Sequence, residues 1–481
     1  MSSQQITPDF LVGIDLALKG KHVAKVMLPG SEGLGKPIRF GHTYDEYERM
    51  YHQVMDRVPE GARALWGCEV TAAAWRPISA FLSNRAEQLT ILKPVKVADL
   101  RRFMQRHLKT DEVDAQVIGN AMWLDLRQGR QPSAPPSPQD QARRGLARRI
   151  DHLKKNVGSA KQRLLAILQQ TMAPSLATKP YDWCAQSMLA VLHHFADLRT
   201  VAALSPSAFI RSACCAGKGG PRTSQNALRA LHEAARDALR VYGQHGLDWD
   251  TQAILLQEAI QTIWDTQKRI QLLQAQLDKG VQQVATPQQR QSGQTVPGIG
   301  AQTLELLIAF LGAPDKWRNI QSIKQFAGLV PIVDNTGQSE PNGRMSKLGE
   351  PLLRKAVYQV GNAARQFDAQ FAAYYYNQMV HQAKGHTAAC IATGIRVINA
   401  LRAVLRDQRT FQHYHPETGK PITKEQSQVL ARTTYRVPEE IRKARRKAKH
   451  KRTADTDPGQ LMKDMPKALP KMAAEPVPAL S

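Results

Sequence analysis

Two aspartates three residues apart, Asp111 and Asp114 in the run Lys-Thr-Asp-Glu-Val-Asp-Ala (109–115), are the first side chains from which chemistry can be argued. On a helix they lie on one face about one turn apart. Bare carboxylates that close repel each other, and a hard divalent cation with oxygen ligands reverses the sign. An acidic pair at this spacing is equally at home on a solvated helix face, so the pair alone does not decide. Two acids upstream give it company. Asp15 sits inside the apolar run Leu-Val-Gly-Ile-Asp-Leu-Ala-Leu (11–18). A carboxylate there costs free energy unless it is paired, metal-bound or turned to an open face. Glu69 falls at the end of Ala-Arg-Ala-Leu-Trp-Gly-Cys (62–68).

The elements that must position these acids follow from periodicity and punctuation. Residues 11–18 and His-Val-Ala-Lys-Val-Met (22–27), joined by a Gly-containing turn, predict a hairpin. Further strands are expected at 38–42, 62–68 and 88–93, with helices at 44–57, 75–82 and 112–126. A hairpin-type run followed by alternating strand and helix is an α/β layout with a mixed sheet. That order is the one of ribonuclease-H-like (RuvC-like) folds. In that layout Asp15, Glu69, Asp111 and Asp114 can converge at one sheet end, where four oxygen ligands can hold two Mg²⁺ (or Mn²⁺) ions for work on a phosphodiester.

The chain has 481 residues, 42% of them hydrophobic, with a net charge of +25. That length builds two or three cores, and that charge points to a polyanionic partner, most simply nucleic acid. The apolar windows 301–312 and 387–405 are interrupted by Glu305 and Arg396, and no membrane partner is expected. No basic region followed by an apolar run opens the chain. Five scattered cysteines suggest neither zinc nor a disulfide framework, so a reducing, cytoplasmic setting is expected.

Beyond the first domain (1–130) the composition changes. Residues 127–141 carry Pro132, Pro135, Pro136 and Pro138 and read as a linker. From 142 a basic amphipathic helix is expected, with Leu146, Ile150, Leu153, Val157, Leu164 and Leu165 as a coiled-coil-like seam. A second long helix over 251–284 carries Ile254, Leu255, Ile260, Ile263, Ile270, Leu273 and Leu277. The two pair antiparallel or serve a homo-oligomer, dimer or tetramer. This helical middle (131–290) gives way to Val296-Pro-Gly-Ile-Gly300 before a helix at 302–311, a helix–hairpin–helix-like signal in which Gly298 and Gly300 let backbone amides approach a phosphate. A mostly helical block (291–412) follows. The remainder (413–481) reads as a basic, largely disordered tail, with eight Lys/Arg in 442–452, among them Arg445, Arg446 and Lys447, as sequence-independent phosphate binders.

Two sets of motifs carry a specific resemblance. Gly-Ile-Asp-Leu (13–16), Cys-Glu-Val-Thr-Ala-Ala-Ala-Trp-Arg-Pro (68–77) and Lys-Thr-Asp-Glu-Val-Asp-Ala (109–115) resemble the RuvC-like domain of the DEDD insertion-sequence transposases, relatives of the pilin-gene-inverting recombinases. Phe-Ala-Gly-Leu-Val-Pro (326–331), Thr336-Gly337, Gly-Arg-Met-Ser-Lys-Leu-Gly (343–349) and His-Thr-Ala-Ala-Cys (386–390) resemble the C-terminal transposase domain of that family, in the same order. The resemblance implies that Asp15, Glu69, Asp111 and Asp114 are the four metal-binding acids. It also implies a nucleophilic Ser before a Gly; counting without gaps puts Thr336 at that position, a departure from the family's Ser, with Ser339 as the alternative. Arg344 and Lys347 are then placed to neutralise the attacked phosphate. Further implied are DNA as substrate, a structured guide RNA transcribed from the element's own ends, and a nucleoid-associated place in a prokaryotic cytoplasm. The competing readings are a junction-resolving endonuclease with water as nucleophile and a non-enzymatic nucleic-acid-binding remnant.

Overall fold

The computed structural model describes residues 8–31, 33–70, 73–104, 110–130, 133–172, 181–216, 225–243, 245–317, 319–331 and 345–451. The chain divides into two compact units, Met1–Ser137 and Pro138–Ser481.

The first unit is built on a five-stranded sheet of order β3-β2-β1-β4-β5. Its strands are β1 (Phe10–Asp15), β2 (His22–Met27), β3 (Leu34–Phe40), β4 (Ala64–Glu69) and β5 (Leu89–Leu92). β1 pairs antiparallel with β2 and parallel with β4, and β4 pairs parallel with β5. This is the mixed sheet expected from the sequence, with β3 begun earlier, at Leu34.

The helices are α1 (Tyr44–Met55), α2 (Trp75–Ser83), α3 (Pro94–Met104) and α4 (Asp111–Arg127). Strand side chains alternate between the faces. Phe10, Val12 and Ile14 of β1 join Trp66 and Cys68 of β4 in a core with Tyr47, Met50, Ile78 and Leu82 of α1 and α2. Leu11 and Met27 pack on the opposite face against Val117, Ile118 and Met122 of α4.

His22 is completely buried beside Phe40 and His42. Its Nδ1 accepts a hydrogen bond from the Ala17 amide at 3.0 Å, which requires the neutral ring. Burial, and then His42, push its pKa down to about 4. A depressed histidine contributes no stability difference above its unfolded pKa and costs stability as pH falls from about 6.5 towards 4. The first unit should therefore lose about 2 kcal/mol between pH 7 and pH 5 from this group alone. Denaturant titrations of wild type and His22→Gln at both pH values check this, and equal pH dependence in the two would refute it.

The second unit opens with α5 (Pro138–Met172). The expected linker thus ends early: Pro138 suits the first turn of a helix, where its missing N–H is not needed. Next come α6 (Gln186–His194), α7 (Leu198–Ala203), α8 (Pro206–Ala216), α9 (Gln225–Tyr242) and α10 (Trp249–Gln282). α5 and α10 lie side by side. Arg143 near the start of α5 bonds the Gly280 carbonyl near the end of α10, so the pair is antiparallel. Of the apolar residues expected to mark this helix, Ile260, Ile263 and Leu277 are buried, whereas Ile254 and Leu255 are 65% and 43% exposed and Leu256 and Ala259 are buried in their place.

The remaining helices are α11 (Pro287–Gln294), α12 (Ala301–Leu311), α13 (Ile320–Ala327), α14 (Pro351–Ala364), α15 (Ala369–Val380), α16 (His386–Asp407), α17 (Lys424–Arg432) and α18 (Glu439–Lys451). α16 is long and apolar enough to cross a membrane by length and composition, but its apolar residues Val397, Ile398, Leu401 and Leu405 lie in the core formed with α12 and α14. The expectation of a largely disordered tail from 413 is corrected over 413–451. Ala431 and Tyr435 pack with Ala372, and Val437 and Ile441 pack with Tyr375 and Met379. Scattered apolar residues among many charges conceal such docking in the sequence. Residues 452–481 lie outside the described residues.

Candidate active site

Asp15 is the last residue of β1 and Glu69 the last of β4. The strands run parallel with Ile14 opposite Cys68, so the two acids leave the sheet side by side at one end. The alternation that sends Ile14 and Cys68 to the first core directs Asp15 and Glu69 to the face covered by α4.

Two features bring the start of α4 to that end. Thr110 caps the helix, its hydroxyl accepting from the Val113 amide, and Asp111, Glu112 and Asp114 fill the first turn, where the helix dipole favours negative charge. Gly13 lets the helix approach β1. A Cβ added there would lie 2.0 Å from the Ala115 carbonyl oxygen and 2.8 Å from the Gly119 amide, both backbone atoms of α4. Gly13→Ala must push α4 off the sheet. It should cost about 1–3 kcal/mol and carry Asp111 and Asp114 away from Asp15. A thermal melt with and without Mg²⁺ checks both effects: the melting point should fall and any Mg²⁺-dependent rise should shrink. An alanine variant as stable and as Mg²⁺-responsive as wild type would refute the role.

The electrostatics register the four acids as one group. The Asp15 carboxyl is pushed up to about 6, first by burial and then by the charges of Asp114, Asp111 and Glu69, with Arg101 opposing. Asp114 is 8% exposed and forms an ion pair with Arg101. The contact lacks the alignment of a hydrogen bond, and Asp114 Oδ1 is left without a hydrogen-bond donor. Asp111 faces Arg39 at 3.7 Å, and Glu112 pairs with Lys25.

Among the described residues no three acid, His or Cys groups stand at metal-ligating spacing. Two of the carboxylates are instead turned onto arginines. The donor set is nonetheless all oxygen and holds a buried oxygen without a hydrogen-bond donor, and Asp15, raised first by burial, is raised further by the charges of the other three acids. These properties fit a hard divalent ion such as Mg²⁺ or Mn²⁺ rather than zinc. Sequence reasoning missed Arg101, Arg39 and Lys25 as partners of the acids. Arg101 was visible only as one of several basic residues before the motif.

In the second unit, α11 and α12 are joined by a hairpin at 295–300. Gly298 has φ +81°, and a Cβ there would meet the Ala364 amide and Val360 carbonyl of α14 at 2.7 and 2.8 Å. Close packing on α14 therefore already requires this glycine. Gly300 caps α12 in open space and lines a cavity of about 340 Å³ with His413 and Lys424.

Thr336, Ser339 and Arg344 lie outside the described residues. The residues flanking them are held together by a bridge between Pro331 and Met345 and by the Ser346 amide on the Val330 carbonyl at 2.9 Å. Lys347 follows in left-handed conformation, φ +54°. In α18, Arg446 is exposed, whereas Arg445 Nε donates to the Met379 carbonyl at 3.3 Å; the side chain of Lys447 lies outside the described residues.

A family model of DEDD transposases of the IS110 type matches residues 12–173, which contain all four acids. A second, for transposases of the IS116/IS110/IS902 family, matches residues 286–376, and together the two cover more than half of the chain. The chain belongs to the IS110-type DEDD transposases. A curated relative, the insertion element IS110 uncharacterized 43.6 kDa protein of Streptomyces coelicolor, is 25% identical over 122 residues, 25% of this chain. The match spans 30% of that relative's length. The second family block runs from α11 into α15 and includes Thr336. The α17–α18 region lies beyond both blocks.

Proposed function

We propose that this transposase breaks and rejoins DNA strands as the recombinase of a mobile element. The observation that carries the reading is the gathering of Asp15, Glu69, Asp111 and Asp114 at one end of the sheet in a strongly basic chain. Mg²⁺ or Mn²⁺ held by these acids would supply activation of the attacking oxygen and charge stabilisation of the leaving one. Asp15 and Glu69 sit on rigid strand ends and Asp111 and Asp114 on a capped helix, so the ligands are fixed before substrate arrives.

Residues 1–130 do this work, and the block 291–412 brings the nucleophile. The Thr336 hydroxyl attacks phosphorus, forms a P–O bond to the protein and releases one DNA oxygen. Reversal by a second DNA hydroxyl restores the phosphodiester without an external energy source. Lys347, held beside the ends of that segment, and Arg344 neutralise the attacked phosphate. The exchange takes place in a homo-oligomer on DNA in the cytoplasm, and a structured RNA from the element's ends pairs with donor and target. Immunoprecipitation followed by sequencing of the bound RNA tests the guide, and recovery of no element-end transcript would remove it. The presence of Thr where relatives carry Ser keeps one competitor, a hydrolytic junction-resolving nuclease, which forms no covalent intermediate.

The basic helix α18 adds affinity without reading sequence. Arg446→Gln with Lys447→Gln should flatten the slope of log affinity against log salt by nearly two units on duplex DNA, about 0.9 for each phosphate no longer neutralised. An unchanged slope would show those charges to be idle.

A further inference from the structure

A cavity of about 410 Å³ in the second unit is lined by four arginines, Arg365, Arg432, Arg436 and Arg442. Among the described residues none of the four forms an ion pair. Arg365 is held in place by Asn362, to whose side-chain oxygen its Nε and Nη2 donate at 3.0 and 2.8 Å, and it lies 4.6 Å over the Tyr375 ring. Glu417 accepts from the hydroxyl of Tyr435, which also lines the cavity. Elsewhere in this unit cations find acids, as Lys355 does with Asp151 and Arg148 with Glu350. Gathering four guanidinium groups round one hollow without an ion pair costs free energy and returns it when an anion enters. The concentration of charge is felt nearby: after burial, Arg365, Arg442 and Arg446 hold the His386 pKa below its ordinary value.

This hollow does not stand alone. Lys424, Gln428 and Arg432 lie four residues apart along α17, on one face of the helix. Lys424 and Gln428 line the cavity at the 294–300 hairpin, and Arg432 lines the arginine cavity. The two ends of the stripe are about 12 Å apart along the helix axis. Between them Phe367 lines the hairpin cavity, 41% exposed, with the Arg432 guanidinium 5.9 Å from its ring. In the hairpin cavity His413 is fixed through Nδ1 by the fully buried Asp368 at 2.8 Å. Cations at both ends of an exposed aromatic ring are the arrangement that holds consecutive phosphates while a base stacks between them.

We propose that α17 is a binding track for a nucleic-acid strand with unpaired bases. Phosphates sit in the arginine cavity and beside Lys424 and His413, and a base lies on Phe367. A duplex offers the same phosphates but keeps its base faces stacked, so the ring favours the unpaired strand. The inference rests on the reading of the chain as a nucleic-acid enzyme; α17 lies outside both family-matched blocks, and Arg365 and Phe367 join it from the second.

Fluorescence anisotropy of the full chain tests it, with a labelled mixed-sequence RNA of about 12 nucleotides, the same DNA strand, and the blunt DNA duplex, each titrated with KCl. Arg432→Gln with Arg436→Gln should flatten the single-strand salt slope by about 1.4, two phosphates at about 0.7 each, while Arg432→Lys with Arg436→Lys keeps it. Phe367→Leu should weaken single strands roughly 10-fold and leave the duplex unchanged. Tighter binding of RNA than DNA would place a guide on the track, and the reverse a displaced DNA strand; either supports the proposal. An unchanged slope in the glutamine variant overturns it. So does a Phe367→Leu variant that binds both forms as wild type does. Failure of wild type to bind all three probes would instead overturn the nucleic-acid reading itself.

Discussion

Asp114→Asn is expected to lower strand cleavage by about 10³-fold or more while leaving nucleic-acid affinity nearly intact. The change keeps the shape of a residue that is 8% exposed and removes its charge. Loss of a ligand that fixes a divalent ion removes several kcal/mol of transition-state stabilisation, and each 1.4 kcal/mol is tenfold in rate. Asp15→Ala should act alike, since Asp15 shares the carboxylate cluster from the opposite element. Cleavage of a supercoiled target plasmid with Mg²⁺ or Mn²⁺, beside anisotropy on the same DNA, measures the two effects separately. Cleavage at the wild-type rate in either variant would sink the four-acid assignment. Equal loss of binding and cleavage would mean that the change had broken the sheet end instead, and a Mg²⁺-dependent melting shift retained by the variant would say that the ion sits elsewhere.

Thr336→Ala is expected to abolish a covalent protein–DNA adduct, with strand exchange falling at least about 10³-fold. The cause is chemical rather than structural, because alanine removes the one hydroxyl that the family pattern places before Gly337. Threonine differs from the usual serine by a methyl group that stiffens χ1, so Thr336→Ser should retain the adduct. The measurement is trapping on a nicked suicide substrate followed by peptide mapping of the DNA-linked residue. An adduct that survives Thr336→Ala and vanishes with Ser339→Ala would transfer the role to Ser339. A wild-type protein that cleaves DNA and never becomes linked to it would leave hydrolysis by the acid cluster as the activity.

The acid cluster was legible in the chain because strand parity is written there. Leu11, Gly13 and Asp15 alternate with Val12 and Ile14, as Leu65, Gly67 and Glu69 alternate with Trp66 and Cys68, so two parallel strands had to send their terminal acids to one face. The cap at Thr110 and the spacing of Asp111 and Asp114 likewise follow from local rules. What covers that face was not local. The 2.0 Å approach at Gly13 and the pairing of Arg101 with Asp114 depend on where α3 and α4 come to rest. Sequence spacing also misplaced the α10 seam at Ile254, because an amphipathic pattern fixes which positions share a stripe and leaves to the partner helix how far round the stripe turns. The basic region after 413 went furthest astray. Its charge density alone resembles a disordered tail, yet Tyr435, Val437 and Ile441 find pockets on α15 that the sequence does not announce. Only that docking sets Arg432, Arg436 and Arg442 beside Arg365, dozens of residues away along the chain. Charges far apart in sequence meet where the core requires the backbone to pass, and no rule of spacing records it.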